Sequence, residues 1–249
     1  MSMILKQPYL IEELHRMTTL HIYLPDDYDQ SDQRYPVMYM LDGHNLFFDE
    51  DATYGKSWSL EAFLSTYEKP FIIVGIECDH EGNNRLHEYC PYPKEHSFLG
   101  PLKGNGELFM HWLVHTLKPM IDMRFRTWPS REATGIGGSS MGGLMAYYGV
   151  IRYNRIFSKA ACLSPSLILC AKELEEEVGE DWLHPDTRLY LSIGDQEMSR
   201  DSQTLYSYLD HFASITKPAL SQINIIPDGK HNEASWEAQN KMYFDYLWY

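Results

Sequence analysis

Apolar residues along this chain come in short continuous runs, separated by polar, turn-rich segments. Tyr35-Pro36-Val37-Met38-Tyr39-Met40-Leu41 stops at Asp42-Gly43, and Phe71-Ile72-Ile73-Val74-Gly75-Ile76 follows Pro70. Unbroken runs of this length predict central strands covered on both faces. Residues 16–24 alternate roughly and end at Pro25, as a half-buried strand would, and polar residues 26–33 then predict a hairpin-type loop. Further strands are expected over 159–163, 189–193 and 222–226. Helical segments lie between them. In residues 105–124, Phe109, Trp112, Leu113, Leu117 and Met120 fall on one helical stripe, and a last helix is expected over 233–247. Strands alternating with helices predict an α/β fold with a mostly parallel central sheet and helices on both faces. No repeat, low-complexity segment or long linker interrupts the pattern, and 249 residues suit one domain spanning 1–249.

One stretch departs from simple core patterning. Ala133-Thr134-Gly135-Ile136 reads as a short buried strand and Leu144-Met145-Ala146-Tyr147-Tyr148 as the start of a helix. Between them stands Gly137-Gly138-Ser139-Ser140-Met141-Gly142-Gly143. Gly-x-Ser-x-Gly fits here in one register, with Gly138 and Gly142 bracketing Ser140. A serine on a sharp strand-to-helix turn needs small neighbours two before and two after, so that the chain can fold back. In that setting the N–H of Met141 faces the place where an oxyanion forms, at a helix N-terminus. The competing reading is a glycine-rich helix start that binds phosphate or only packs closely.

An activated serine needs a base, and the base needs an orienting carboxylate. After Ser140 the histidines are His184, His211 and His231. His184 sits in a polar loop before Pro185, and His211 falls on a helix face. His231 follows the strand over 222–226 through Pro227-Asp228-Gly229-Lys230, at a strand's carboxyl end, where ligand-binding residues collect in open α/β sheets. It is the expected base. The strand over 189–193 runs into Gly194-Asp195-Gln196-Glu197, which offers Asp195 and Glu197 as acids; Asp228, in the base's own loop, is a weaker third. Glu197 is preferred, because its side chain is longer and the chain has by then crossed the sheet top. A second oxyanion donor is expected after the early strand, at the N–H of His44 in Asp42-Gly43-His44-Asn45, with Gly43 permitting the turn.

Composition narrows the picture further. A net charge of −14 argues against nucleic-acid or anionic-membrane partners, and no stretch approaches the ~20 apolar residues of a membrane span. Residues 1–17 contain Glu12 and Glu13 and no apolar leader segment. Cys78, Cys90, Cys162 and Cys170 show no C-x-x-C spacing and read as buried free thiols of a cytoplasmic protein. Asp79-His80-Glu81, His87-Glu88 and His96 match no familiar metal-ligand spacing. No metal or organic cofactor is expected, and self-association is left open.

Taken together, Tyr39-Met40-Leu41-Asp42-Gly43, Arg85-Leu86-His87-Glu88-Tyr89, Leu117-Lys118-Pro119, the glycine-serine stretch from Gly138 to Gly143, Gly194-Asp195-Gln196-Glu197 and Gly229-Lys230-His231-Asn232-Glu233 with Trp236 resemble the putative esterase family of α/β hydrolases. That family includes enterochelin-type, feruloyl and acetylxylan esterases, S-formylglutathione hydrolases and mycolyltransferases. The resemblance spans nearly the whole chain. It implies an α/β-hydrolase fold without a large cap, Ser140 as nucleophile, His231 as base and Glu197 as acid, acting on a small-molecule carboxylic ester. Many relatives carry Asp where Glu197 stands. An acyltransferase or thioesterase using the same site, and a catalytically silent binding module, are the alternative readings. Residues 83–103 are expected to shape the pocket, residues 167–182 are the one short cap candidate, and Arg85 and Glu88, at i and i+3, are expected to pair.

Overall fold

The computed structural model describes residues 3–97, 99–180, 183–197 and 201–249. Eight strands form one sheet: β1 (Met3–Ile11), β2 (Arg16–Leu24), β3 (Val37–Leu41), β4 (Ile72–Ile76), β7 (Thr134–Ser139), β8 (Lys159–Leu163), β9 (Arg188–Gly194) and β10 (Leu220–Ile226). A separate hairpin pairs β5 (Lys94–His96) with β6 (Gly100–Leu102). The spatial order of the large sheet is β1-β2-β4-β3-β7-β8-β9-β10. β1 pairs with β2, and β2 with β4, antiparallel; every pair from β4 to β10 is parallel. This mostly parallel sheet is that of the α/β-hydrolase fold.

Side-chain alternation explains why the apolar runs are unbroken. β3 sends Val37, Tyr39 and Leu41 into one layer, while Met38 and Met40 enter the other. The first layer includes Phe109 and Trp112 of α3 (Gly106–Trp112), Tyr147 of α5 (Met141–Arg152) and Phe212 of α7 (Ser202–Ile215). The second includes Leu60 of α1 (Leu60–Leu64), Trp236 of α8 (Glu233–Glu237), and Phe244 and Leu247 of α9 (Asn240–Trp248). Both faces are dry, so every position of a central strand can be apolar.

Several expectations are corrected. β1 was not legible, because its side chains are mostly exposed or half-buried at the sheet edge and Pro8 interrupts it. An edge strand tolerates that proline. Residues 26–33 do not close a hairpin: β4 lies between β2 and β3, so this segment crosses to a non-adjacent strand with a 3-10 turn at Tyr28–Gln30. The helix over 105–124 exists but widens into a π turn at Leu113–Leu117 before α4 (Lys118–Arg124), just ahead of Pro119, which has no N–H to give back along the helix. The C-terminal helix is broken into α8 and α9. Of the cap candidate, Leu167–Cys170 is a 3-10 turn and α6 (Ala171–Glu180) packs beside α5; Trp182 lies outside the described residues. Lys94, the first residue of the small hairpin, and Tyr92, just before it, bond Glu173 and Glu177 of α6 at 2.6 and 3.1 Å. Among the described residues, no helix is long and apolar enough to cross a membrane.

Candidate active site

Ser140 occupies the turn between β7 and α5, with φ 57° and ψ −119°. That conformation is sparsely populated by L-residues and costs of order 1–3 kcal/mol. The backbone on either side holds it there: Ser140 N–H donates to Leu163 O at 2.9 Å, and Ser166 N–H donates to Ser140 O at 3.1 Å. Gly138 and Gly142 are needed for proximity. A Cβ on Gly138 would stand 2.8 Å from the carbonyl carbon of Gly142, and one on Gly142 would meet Asp42 Oδ2 at 3.1 Å.

His231 lies in the short loop between β10 and α8. Asn232 caps α8 by accepting from Ser235 N–H, and Ser235 Oγ in turn accepts from Lys230 N–H at 2.8 Å. These bonds fix both neighbours of His231. Its ring stands edge-on to Trp236, centroids 5.1 Å apart. Glu197 Oε2 is 2.8 Å from His231 Nδ1. The carboxylate is 5% exposed and the imidazole 46%, so the acid is held inside while the base faces the opening. Asp195 does not join them; its carboxylate accepts from Gln196 Nε2 at 3.0 Å. Asp228 takes a left-handed turn position, φ 56°, in the base's loop. His211 is on α7 and pairs with Glu175 at 2.7 Å.

The other oxygen of Glu197 is also engaged. Oε1 accepts from Gly194 N–H at 2.8 Å and from Ser164 Oγ–H at 2.5 Å. Ser164 Oγ in turn accepts from the indole N–H of Trp236 at 2.9 Å. Sequence reasoning missed Ser164. Its signal was its place just after β8, beside the serine's own strand, where functional groups gather in such sheets.

The loops carrying acid and base meet through bare backbone. A Cβ on Gly194 would lie 2.2 Å from Gly229 O, and Gln196 N–H donates to that same oxygen at 2.9 Å. Gly194→Ala must therefore push the two loops apart. A displacement near 1 Å costs about 10²-fold in rate, so kcat on a short-chain ester should fall by roughly that factor. Thermal denaturation should show a lower Tm in the same variant; unchanged kinetics would place the two loops outside the reacting geometry.

His44 and Met141 both lie in the first turn of their helical segments, Gly43–Asn45 and α5, where no intrahelical carbonyl reaches their N–H groups. Here the structure changes one detail. Asp42, not Gly43, takes the left-handed conformation, φ 58°. Gly43 is required for contact instead, since a Cβ there would stand 2.6 Å from the Gly75 carbonyl carbon on β4. The Asp42 turn is clamped by Arg85, whose Nε and Nη2 each donate to a carboxylate oxygen at 2.7 Å. Burial alone would push the Asp42 carboxyl up, but the Arg85 charge and its hydrogen bonds hold it below the usual range. Arg85 thus shapes the turn that presents His44. It does not pair with Glu88, which binds Arg16 and accepts from Asp79 N–H at 2.9 Å.

Ser140, His231, His44, Asp42 and Arg85 line one cavity of about 400 Å³. Of residues 83–103, Arg85 of α2 (Asn84–Glu88) reaches this wall; the rest comes from the turn after β3, from Thr53 and Tyr54, and from the segment after β4, with Ser139, Glu233 and Trp236. Burial brings the His44 imidazole down to about 4, so it is neutral near pH 7. Ser140 Oγ makes no hydrogen bond to His231 among the described residues, and in substrate-free sites such contacts tighten only when the reacting complex forms.

The architecture and sequence have counterparts. The uncharacterized protein YbbA of Bacillus subtilis (strain 168) is 26% identical over 193 residues, covering 76% of this chain and 72% of that protein. An esterase of Mycobacterium tuberculosis (strain ATCC 25618 / H37Rv) is 31% identical over 142 residues, 57% of this chain and 28% of that longer protein. An IroE-like serine hydrolase from Shewanella oneidensis superposes with a TM-score of 0.75 at 22% identity, over 98% of this chain and 79% of that one, a likeness of fold. The family model described as putative esterase matches residues 11–243, nearly the full length, and on that match the chain belongs to the putative esterase family.

Proposed function

We propose that this esterase-family protein hydrolyses small carboxylic esters through an acyl-enzyme on Ser140. The observation that carries the reading is the 2.8 Å contact of Glu197 with His231 Nδ1, in a cavity whose wall includes a serine on a strained strand-to-helix turn. Glu197 holds Nδ1–H, leaving the Nε2 lone pair to take the proton from Ser140. Ser140 Oγ attacks the ester carbonyl. The N–H groups of Met141 and His44 receive the oxyanion, each contributing about 3 kcal/mol of transition-state stabilisation. His231 then protonates the leaving alcohol, and water, activated by the same imidazole, releases the acid. No cofactor enters these steps. A cavity of about 400 Å³ with mixed polar and aromatic walls suits short acyl, carbohydrate-linked or aromatic esters. Four buried free thiols support a reducing, cytoplasmic setting.

A fluorophosphonate probe tests the nucleophile directly. The expected result is one covalent adduct per chain, mapped by peptide mass spectrometry to Ser140 and formed far more slowly in His231→Ala. An unlabelled protein, or an adduct on another residue, overturns the assignment.

A further inference from the structure

The part of the cavity wall around the His44 side chain has its own internal order. Among the described residues, His44, Cys78 and His80 form the one group whose ligand atoms all lie within 4.8 Å of one another. Cys78 Sγ is 4.0 Å from His80 Nδ1. The two imidazoles stand edge to face with centroids 4.4 Å apart. In each ring the far nitrogen is already taken: His44 Nε2 is 2.9 Å from Thr53 Oγ1, and His80 Nε2 is 3.1 Å from Glu77 Oε1. That leaves the Nδ1 atoms. His44 is 4% exposed, and its Nδ1 is buried with no hydrogen-bond partner.

A buried imidazole nitrogen without a partner costs about 1–3 kcal/mol. The remedy suggested by its surroundings is a cation. Metal-bound histidines characteristically engage the second ring nitrogen with a hydroxyl, carbonyl or carboxylate, which fixes the tautomer and turns the free lone pair to the metal. Thr53 and Glu77 occupy those outer positions here. Two imidazoles and a thiol make a mixed N,N,S donor set, which favours a borderline-soft ion over calcium or magnesium.

We propose that His44, Cys78 and His80 form a binding site for a single Zn²⁺ ion on the wall of this cavity, with its fourth position open to the cavity. In a tetrahedral zinc site neighbouring donor atoms stand about 3.5 Å apart, so the group, whose atoms lie within 4.8 Å of one another, has to close by at most about 1.3 Å. His80 can supply that movement, since its side chain is 50% exposed, on the segment following β4. On binding, the Cys78 thiol loses its proton to solvent and a sulfur–zinc bond forms; no electron is transferred. Glu77 and Asp79 add negative charge nearby, and Arg85 is already neutralised by Asp42. The site goes beyond the ester hydrolysis proposed above and does not depend on it. It shares the cavity with Ser140 and His231 without using either.

The test is equilibrium dialysis of the metal-stripped full-length protein against Zn²⁺, with bound metal counted by elemental analysis and affinity measured by calorimetry. The expected result is one ion per chain, with the same affinity in Ser140→Ala. His80→Ala and Cys78→Ala should each weaken binding at least tenfold, and Thr53→Val should weaken it by about 10–100-fold as an outer-position loss. His80 is half-exposed, so its variant should fold even if Cys78→Ala, which opens a buried position, does not. No stoichiometric uptake overturns the proposal, as does an affinity unchanged in His80→Ala. So does an affinity lost in His231→Ala but retained in His80→Ala, which would put the ion on the proposed base. Because Ser140→Ala is included as a binding-competent variant, failure of the zinc site and failure of the esterase reading give different results.

Discussion

Ser140→Ala is expected to remove about six orders of magnitude from kcat on a short-chain p-nitrophenyl ester, in line with the loss of a nucleophile from a serine-histidine-acid unit. KM should change little, because the cavity walls made by Asp42, His44, Arg85 and Trp236 stay in place. The fold should stay intact as well. Alanine keeps the same Cβ, and the turn is held by main-chain bonds to Leu163 and from Ser166 that no side chain supplies. A second substitution separates chemistry from strain. Ser140 sits at φ 57°, where a Cβ is costly and glycine is at ease. Ser140→Gly should be equally inactive, yet more stable than Ser140→Ala by roughly 1 kcal/mol once the extra chain entropy of glycine is set against the relieved strain. Calorimetry would read this as a Tm higher by about 2–4 °C. Turnover retained in both variants would mean that another residue attacks the ester.

Glu197→Gln should lower kcat by about 10³- to 10⁴-fold with little effect on KM, by analogy with amide replacement of a triad carboxylate. The hydrogen bonds explain why the loss is so large for a nearly isosteric change. Oε1 is committed as an acceptor from Gly194 N–H and Ser164 Oγ–H, so a glutamine must keep its carbonyl oxygen there. Its amide NH₂ is then forced toward His231 Nδ1, where Oε2 stood at 2.8 Å. An NH₂ donor requires Nδ1 to accept, which moves the ring proton to Nε2 and removes the base. Asp195→Asn should remain within a few-fold of the parent protein, because Asp195 bonds Gln196 and not the imidazole. If the two variants exchange these effects, Asp195 is the acid. If neither loses activity, Ser140 and His231 work as a dyad.

The elements that could be read from the chain are those whose patterning is local. β3 and β4 are apolar throughout because both faces are covered, β7 is buried along its whole length and β8 beyond Lys159, and the turn at Ser140 is written in five consecutive residues. What escaped depends on neighbours distant in sequence. β1 is a strand because β2 offers it an edge, and its own alternation is too weak to say so. The crossing of residues 26–33 follows from β4 inserting between β2 and β3, a choice of topology that no short pattern encodes. Arg85 and Glu88 have the right spacing to pair with each other. Each has a better partner: Asp42 lies 43 residues from Arg85 and gives it a bidentate contact, and Arg16 lies 72 residues from Glu88. Spacing proposes contacts on one helix face, whereas tertiary packing decides among all partners. Gly43 shows the same limit, since its need for a missing side chain comes from Gly75 on another strand.

The contact of Gly194 with Gly229 also bears on the order in which the protein becomes active. Acid and base are held together by the junction of β9 and β10, the last pair of the sheet to leave the ribosome, whereas the Ser140 turn belongs to strands and a helix made well before. A nascent chain at that stage carries an armed geometry with no proton acceptor. On the mechanism proposed above, a chain without β10 and the loop that follows it holds the Ser140 turn but no base, so hydrolysis would begin only once β10 docks beside β9.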